Sequence, residues 1–265
     1  MEDLSYYNPE GSDLRRAQMR MLDIVRAIDV VCERHHITYW ADFGTMLGAV
    51  RHGGFIPWDD DLDISLFEED YKKLLPLLET ELPEEFKLQW HGNEKHFPYS
   101  FAKVVDTRSR VDQIAPWADK IKYQGIWVDI FPMVRGTGNI RKKVEPLYGR
   151  CYRHVRGFDD NRVSKAMAYI LYPLALLAKG ASWLATRFVS PDKYVAAYGT
   201  GNLAVHNSTR RRNNTLPVVK LPFEGVLLPF PKDQDASLKA LYGNYMQLPP
   251  IDKRIVHTDN ITFSQ

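Results

Sequence analysis

YWADFGTMLGAVRHGGFIPWDDDLDISL, residues 39–66, sets an acidic cluster, glycines and an arginine between apolar, strand-like runs. From Asp61 onward Leu62, Ile64 and Leu66 interleave with Asp61, Asp63 and Ser65, the period of a strand with one polar and one buried face. Asp61 and Asp63 therefore share a face, roughly 7 Å apart along the backbone. Two carboxylates held in this way repel each other unless something neutralises them. A divalent cation would do so, and an all-oxygen ligand set favours Mg²⁺ or Mn²⁺ over zinc. The nearby nitrogen donor, His52, stands alone in a glycine loop. A solvated acidic turn leaves the interleaved Leu62, Ile64 and Leu66 unexplained. An EF-hand loop starting at Asp59 would need glycine in place of Ile64 and glutamate in place of Asp70.

Upstream, residues 41–45 read as the end of a strand running into a short helix over 46–50. Gly44 there would let backbone N–H groups approach a phosphate, and the Thr45 hydroxyl could donate to it at a helix N-terminus. Downstream, residues 125–131 form an apolar run carrying one carboxylate, Asp129. A lone buried carboxylate is costly without a partner, and a metal held by Asp61 and Asp63 would be that partner. Arg51 directly precedes the Gly53-Gly54 loop, which places it near the same pocket or in a pair with an aspartate. Lys103, among apolar neighbours, needs an anion, either a structural carboxylate or a substrate phosphate. Trp58, Trp117 and Trp127 suit core packing first and a stacking surface for a base or choline-like cation second.

GTMLGAVRHGGFIPWDDDLDI, residues 44–64, resembles the signature of the LicD family, the phosphorylcholine transferases of bacterial surface glycans, to which the fukutin-type ribitol-phosphate transferases are also similar. SFAKVVD at 100–106, VDIFP at 128–132, and LPFEG followed by LYGNYMQLPP at 221–250 resemble the same family in the same order. The likeness covers about residues 37–66, 99–132 and 221–257. It implies an α/β (α+β) nucleotidyltransferase-like fold, a small mixed sheet flanked by helices. It also implies a Mg²⁺- or Mn²⁺-dependent transferase, moving a substituted phosphate from a CDP-linked donor to a hydroxyl of a cell-surface glycan, lipopolysaccharide or teichoic acid precursor. On that resemblance Asp61, Asp63 and Asp129 are the catalytic metal ligands, Asp129 alternatively the base, while Gly44, Thr45, Arg51 and Lys103 position phosphates. Residue spacing alone gives only metal-assisted phosphoryl or nucleotidyl transfer. An NTP-dependent nucleotidyltransferase releasing pyrophosphate, or a non-catalytic nucleotide- or glycan-binding module, stands beside it. The roles of Asp59, Asp60, Arg254 and His257 stay open.

At 265 residues and 30.7 kDa the chain can bury one sizeable core, or one domain with a helical addition. A net charge of +2 and a pI near 8.4 give no argument for nucleic acid. Cys32 and Cys151, far apart in sequence, argue against a disulfide framework and for a reducing compartment, Cys32 suits a core thiol, and residues 1–11 lack the apolar run of a signal peptide. We expect residues 1–140 to form the catalytic core, 141–200 a helical, membrane-directed insertion, and 201–265 the part that completes the catalytic domain. The expected elements are a helix from Ser12 or Asp13 to about His35, a helix over 68–82 strained at Pro76, and strands at 86–90 and 99–105. A hairpin bending at Glu224-Gly225 and a helix over 232–242 ended by Gly243 follow. His35 and His36 suit the dipole of a helix C-terminus.

Residues 164–189 carry no acid, and Pro173 and Gly180 divide them into a pair of short helices. These are either buried against the catalytic domain or lie on a membrane, with Arg150, Arg153, Arg156, Arg162 and Lys165 toward anionic lipid. We favour a cytoplasmic protein held peripherally at the inner face of the cell membrane, acting on a lipid-linked glycan. NSTRRRNN, residues 207–214, reads as an exposed basic loop that could guide an anionic acceptor, and Lys253, Arg254 and His257 as groups within reach of phosphate.

Overall fold

The computed structural model describes residues 3–113, 118–136, 138–158, 162–196, 209–254 and 258–263, so the expectations for Trp117, Asn207, Ser208 and His257 lie outside it. In chain order the strands are β1 (Trp40–Ala41), β2 (Asp63–Phe67), β3 (Phe86–Gln89), β4 (Ala102–Asp106), β5 (Ser109–Gln113), β6 (Trp127–Arg135), β7 (Lys193–Ala196), β8 (Arg210–Arg211), β9 (Val219–Phe223), β10 (Val226–Phe230) and β11 (Thr258–Phe263). The helices are α1 (Asp13–Arg34), α2 (Phe43–His52), α3 (Glu68–Glu81), α4 (Gly138–Val155), α5 (Arg162–Ala185), α6 (Arg212–Thr215) and α7 (Gln234–Tyr242).

The main sheet is mixed and runs β1-β2-β6-β4-β3. β6 lies parallel to β2 and antiparallel to β4 over 127–130; beyond Ile130 the place of β4 is taken by β7, which pairs with β8. The period-two rule sorts the side chains. Ile64 and Leu66 of β2, Val128 and Ile130 of β6, and Ala102 and Val104 of β4 enter the main core beneath α1 and α3. Phe67, Phe131, Met133 and Ala196 join Trp40, Phe43 and Phe101 in a second core on the opposite face, and the acids Asp63 and Asp129 share that parity. β2 is consequently buried along its whole length rather than half-exposed, because its polar face is roofed as well.

α1 starts where its cap predicts, with Ser12 Oγ accepting from Arg15 N at 3.2 Å. α3 passes through Pro76 and buries Tyr71, Leu74, Leu75 and Leu78. The β9–β10 hairpin turns on Glu224 (φ +50°) and Gly225 (φ +78°), the two left-handed residues of a tight primed turn. The Glu224 carboxylate then accepts from Phe55 N at 3.0 Å and Arg15 Nη2 at 2.7 Å, at a place where a Cβ on Gly54 would stand 2.1 Å from Glu224 Oε1.

Several boundaries differ from expectation. β2 begins at Asp63, leaving Asp61 in the preceding loop. α2 begins at Phe43 rather than Met46, because the buried Asp42 carboxylate caps it by accepting from Phe43 N at 2.9 Å. β4 starts at Ala102, and β6 runs on to Arg135. α5 is one continuous helix through Pro173 and Gly180, and it packs on α4.

Candidate active site

Strand register builds the site. Asp63 stands beside Asp129 across the parallel β2–β6 pair, Asp129 beside Lys103 across β6–β4, and Lys103 beside Gln89 across β4–β3. α2 fixes the near end of this row: Asp42 N donates to Asp63 O at 3.0 Å and Asp63 N donates to Thr45 Oγ1 at 2.9 Å. The structure thus uses Thr45 to position Asp63. The room at Gly44 is taken by an acid, since a Cβ there would lie 2.8 Å from Asp59 Oδ2.

The acids crowd one another. Burial, then the charges of Asp61, Asp129, Asp59 and Asp42, push the Asp63 carboxyl well above the usual carboxylate range. Asp59 is raised likewise, by burial first and then by Asp61 and Asp60, and it shares a hydrogen bond with Asp61. Burial also raises Asp129, opposed by Lys103 and by Trp127, whose Nε1 donates to Asp129 Oδ2 at 3.2 Å. Lys103 Nζ lies 3.2 Å from Asp129 Oδ1 but off the line of a hydrogen bond, leaving that buried oxygen without one. The ammonium also sits 4.0 Å from the Trp127 ring centre and 5.0 Å from that of Tyr99. The salt bridge, one of the two readings of Lys103, is therefore present.

A divalent cation fits this donor chemistry: hard oxygens, carboxyls raised by mutual repulsion, and a buried oxygen lacking a hydrogen bond. Among the described residues, however, no group of three acid, imidazole or thiol side chains is gathered into a metal-holding cluster. Asp63 and Asp129 are neighbours by register, whereas Asp61 approaches from the loop.

Arg51 is held by the C-terminal segment rather than by an aspartate. Its Nη1 donates to Tyr245 O at 2.9 Å and its Nε to His52 Nε2 at 2.9 Å, an acceptor because burial and the Arg51 charge lower the His52 pKa to about 4. Arg51, Arg15, Phe55, Met246 and Leu248 line an open cleft of about 660 Å³. Trp58, with Arg254 4.9 Å from its ring centre and Tyr7 at 5.1 Å, is packed into the core.

Sequence reasoning missed the Asp42–Arg210 pair. Arg210 donates to Asp42 Oδ1 and both side chains are buried, so this part of the basic run is not an exposed loop. Its signal was legible: Asp42 is a lone acid in an apolar run and needs a cation.

A mixed sheet that brings carboxylates together on adjacent parallel strands, with a capped helix at its edge, defines the class as nucleotidyltransferase-like. Residues 36–154 match the family described as "LicD/FKTN/FKRP, nucleotidyltransferase domain", so this part of the chain is a LicD-type domain. It is 24% identical over 258 residues to the lipopolysaccharide cholinephosphotransferase LicD of Haemophilus influenzae, covering 92% of this chain and 95% of that protein. It is 42% identical over 48 residues to the human ribitol 5-phosphate transferase FKRP, covering 18% of this chain and 10% of that protein.

Proposed function

We propose that the protein transfers a substituted phosphate, phosphorylcholine or a close chemical relative, from a CDP-linked donor to a hydroxyl of a cell-surface glycan precursor. The observation that carries this reading is the Asp63–Asp129 register pair, seen in a chain similar along nearly its full length to a cholinephosphotransferase. Asp61, Asp63 and Asp129 would hold Mg²⁺ or Mn²⁺, which when bound neutralises charge growing on the departing CMP. Thr45 and the Asp42 amide lock the Asp63 backbone in place. Lys103 favours the ionised form of Asp129, which suits it either to complete the metal shell or, as the alternative, to take the acceptor's proton. Arg51 lines a cleft with Arg15 that none of Asp61, Asp63 and Asp129 lines, and its bond to Tyr245 O would have to yield for it to meet a donor phosphate there.

The test is product analysis. Incubation with CDP-choline, CDP-ethanolamine, CDP-ribitol or CDP-glycerol and a glycan acceptor, with Mg²⁺, should release CMP with one donor. Pyrophosphate released from an NTP instead would replace this reading with nucleotidyl transfer, and binding without turnover would leave a recognition module.

A further inference from the structure

α5 exposes what a water-facing helix would not. Met167, Ile170, Leu174, Leu177, Leu184 and Phe188, spaced by three, four or seven residues, form one stripe along α5 and the turn after it, with Ile170 76%, Leu177 71% and Phe188 89% accessible. The opposite side is apolar too: Ala168 and Ala175 pack with Cys151 of α4. A helix apolar all round is expected inside a core or against lipid, and this one is not inside the core. Charge is segregated with it. Residues 138–189 hold ten Lys/Arg and three Asp/Glu, a net +7, while the rest of the chain holds 25 and 30, a net −5.

α5 is long and apolar enough to cross a bilayer, but the topology opposes crossing. α4 leaves the end of β6 and α5 returns to β7, which pairs with β6 at Arg135↔Tyr194. Contacts run in reverse order, Tyr169 Oη donating to Val155 O at 3.4 Å and Lys179 Nζ lying 3.8 Å from the Tyr148 ring centre, so the helices form an antiparallel hairpin. A crossing α5 would carry α4 with it, including Arg150 and Arg153, at about 2.5–3.5 kcal/mol for each charge at mid-bilayer. Lying in the interface costs neither.

We propose that the α4–α5 hairpin is a peripheral docking surface for an anionic lipid bilayer, its apolar stripe in the acyl boundary and its basic residues at the headgroups. The proposal does not rest on the transfer chemistry. The full-length protein is sedimented with vesicles of phosphatidylcholine alone and of phosphatidylcholine with phosphatidylglycerol, beside the triple variant Ile170→Ser/Leu177→Ser/Phe188→Ser. The wild type should bind the anionic vesicles, more weakly at high salt, and the variant at least about tenfold more weakly with an unchanged melting midpoint. A wild type that stays in the supernatant, or a variant that binds equally, overturns the proposal. So does a wild-type dimer that ignores vesicles and becomes monomeric in the variant, which would assign the stripe to a second copy of the chain. Should the triple variant fail to fold, Phe188→Ser alone, at the most exposed position, must still weaken vesicle binding.

Discussion

Asp63 faces the charges of Asp61, Asp129, Asp59 and Asp42, so replacing it separates function from stability. Asp63→Asn should lower turnover by at least about a hundredfold while the melting midpoint stays level or rises, because a neutral amide relieves the repulsion. Near-wild-type turnover would remove Asp63 from the chemistry. Lys103→Met should behave differently, since it strands Asp129: a loss of about 3 kcal/mol in urea unfolding, largely regained in Lys103→Met/Asp129→Leu. A Lys103 that only met substrate would cost turnover and no stability. Glu224 gives the pH signature. Burial alone would raise its carboxyl, but the Arg15 hydrogen bond, the Phe55 N–H and the Arg15 charge together leave it below its usual value. A depressed carboxyl stabilises the fold above its unfolded pKa and ceases to do so as pH falls through the folded one. Glu224→Gln should therefore cost about 1–2 kcal/mol at neutral pH, with the gap to wild type closing below about pH 4 in denaturation series.

At the scale of elements, α1, α3, α7 and the Glu224-Gly225 hairpin were legible in sequence because each is decided locally, by a cap, an apolar face or a turn residue. The short elements were not. β1 and the start of α2 depend on Asp42, whose burial depends on Arg210, far along the chain. Breaking that pair from one side should be severe: Arg210→Met leaves a buried carboxylate uncompensated and should cost about 3–5 kcal/mol, seen as a shifted urea midpoint. A loss under about 1 kcal/mol would mean that the buried Asp42 does not depend on Arg210.

On the scale of the whole molecule, two packed faces of one sheet contrast with a hairpin that has only a small core of its own. Amides of α4 and α5 should accordingly exchange with solvent well before those of β2 and β6, and lipid vesicles should slow the hairpin alone. Uniform protection across all four elements would contradict this division. By itself the sequence determined the LicD-type likeness, the alternation that puts Asp63 on one face and Ile64 on the other, and the acid-free apolar stretch over 164–189. These are local or periodic properties, written in consecutive residues. Only tertiary structure decided that β2 is buried on both faces, that Asp129 lies beside Asp63 and answers to Lys103, that Asp61 stays in a loop, and that Pro173 does not divide α5. Each depends on which strand or helix becomes a neighbour, and strand order and register are set by the packing of distant segments, which no short window of sequence contains.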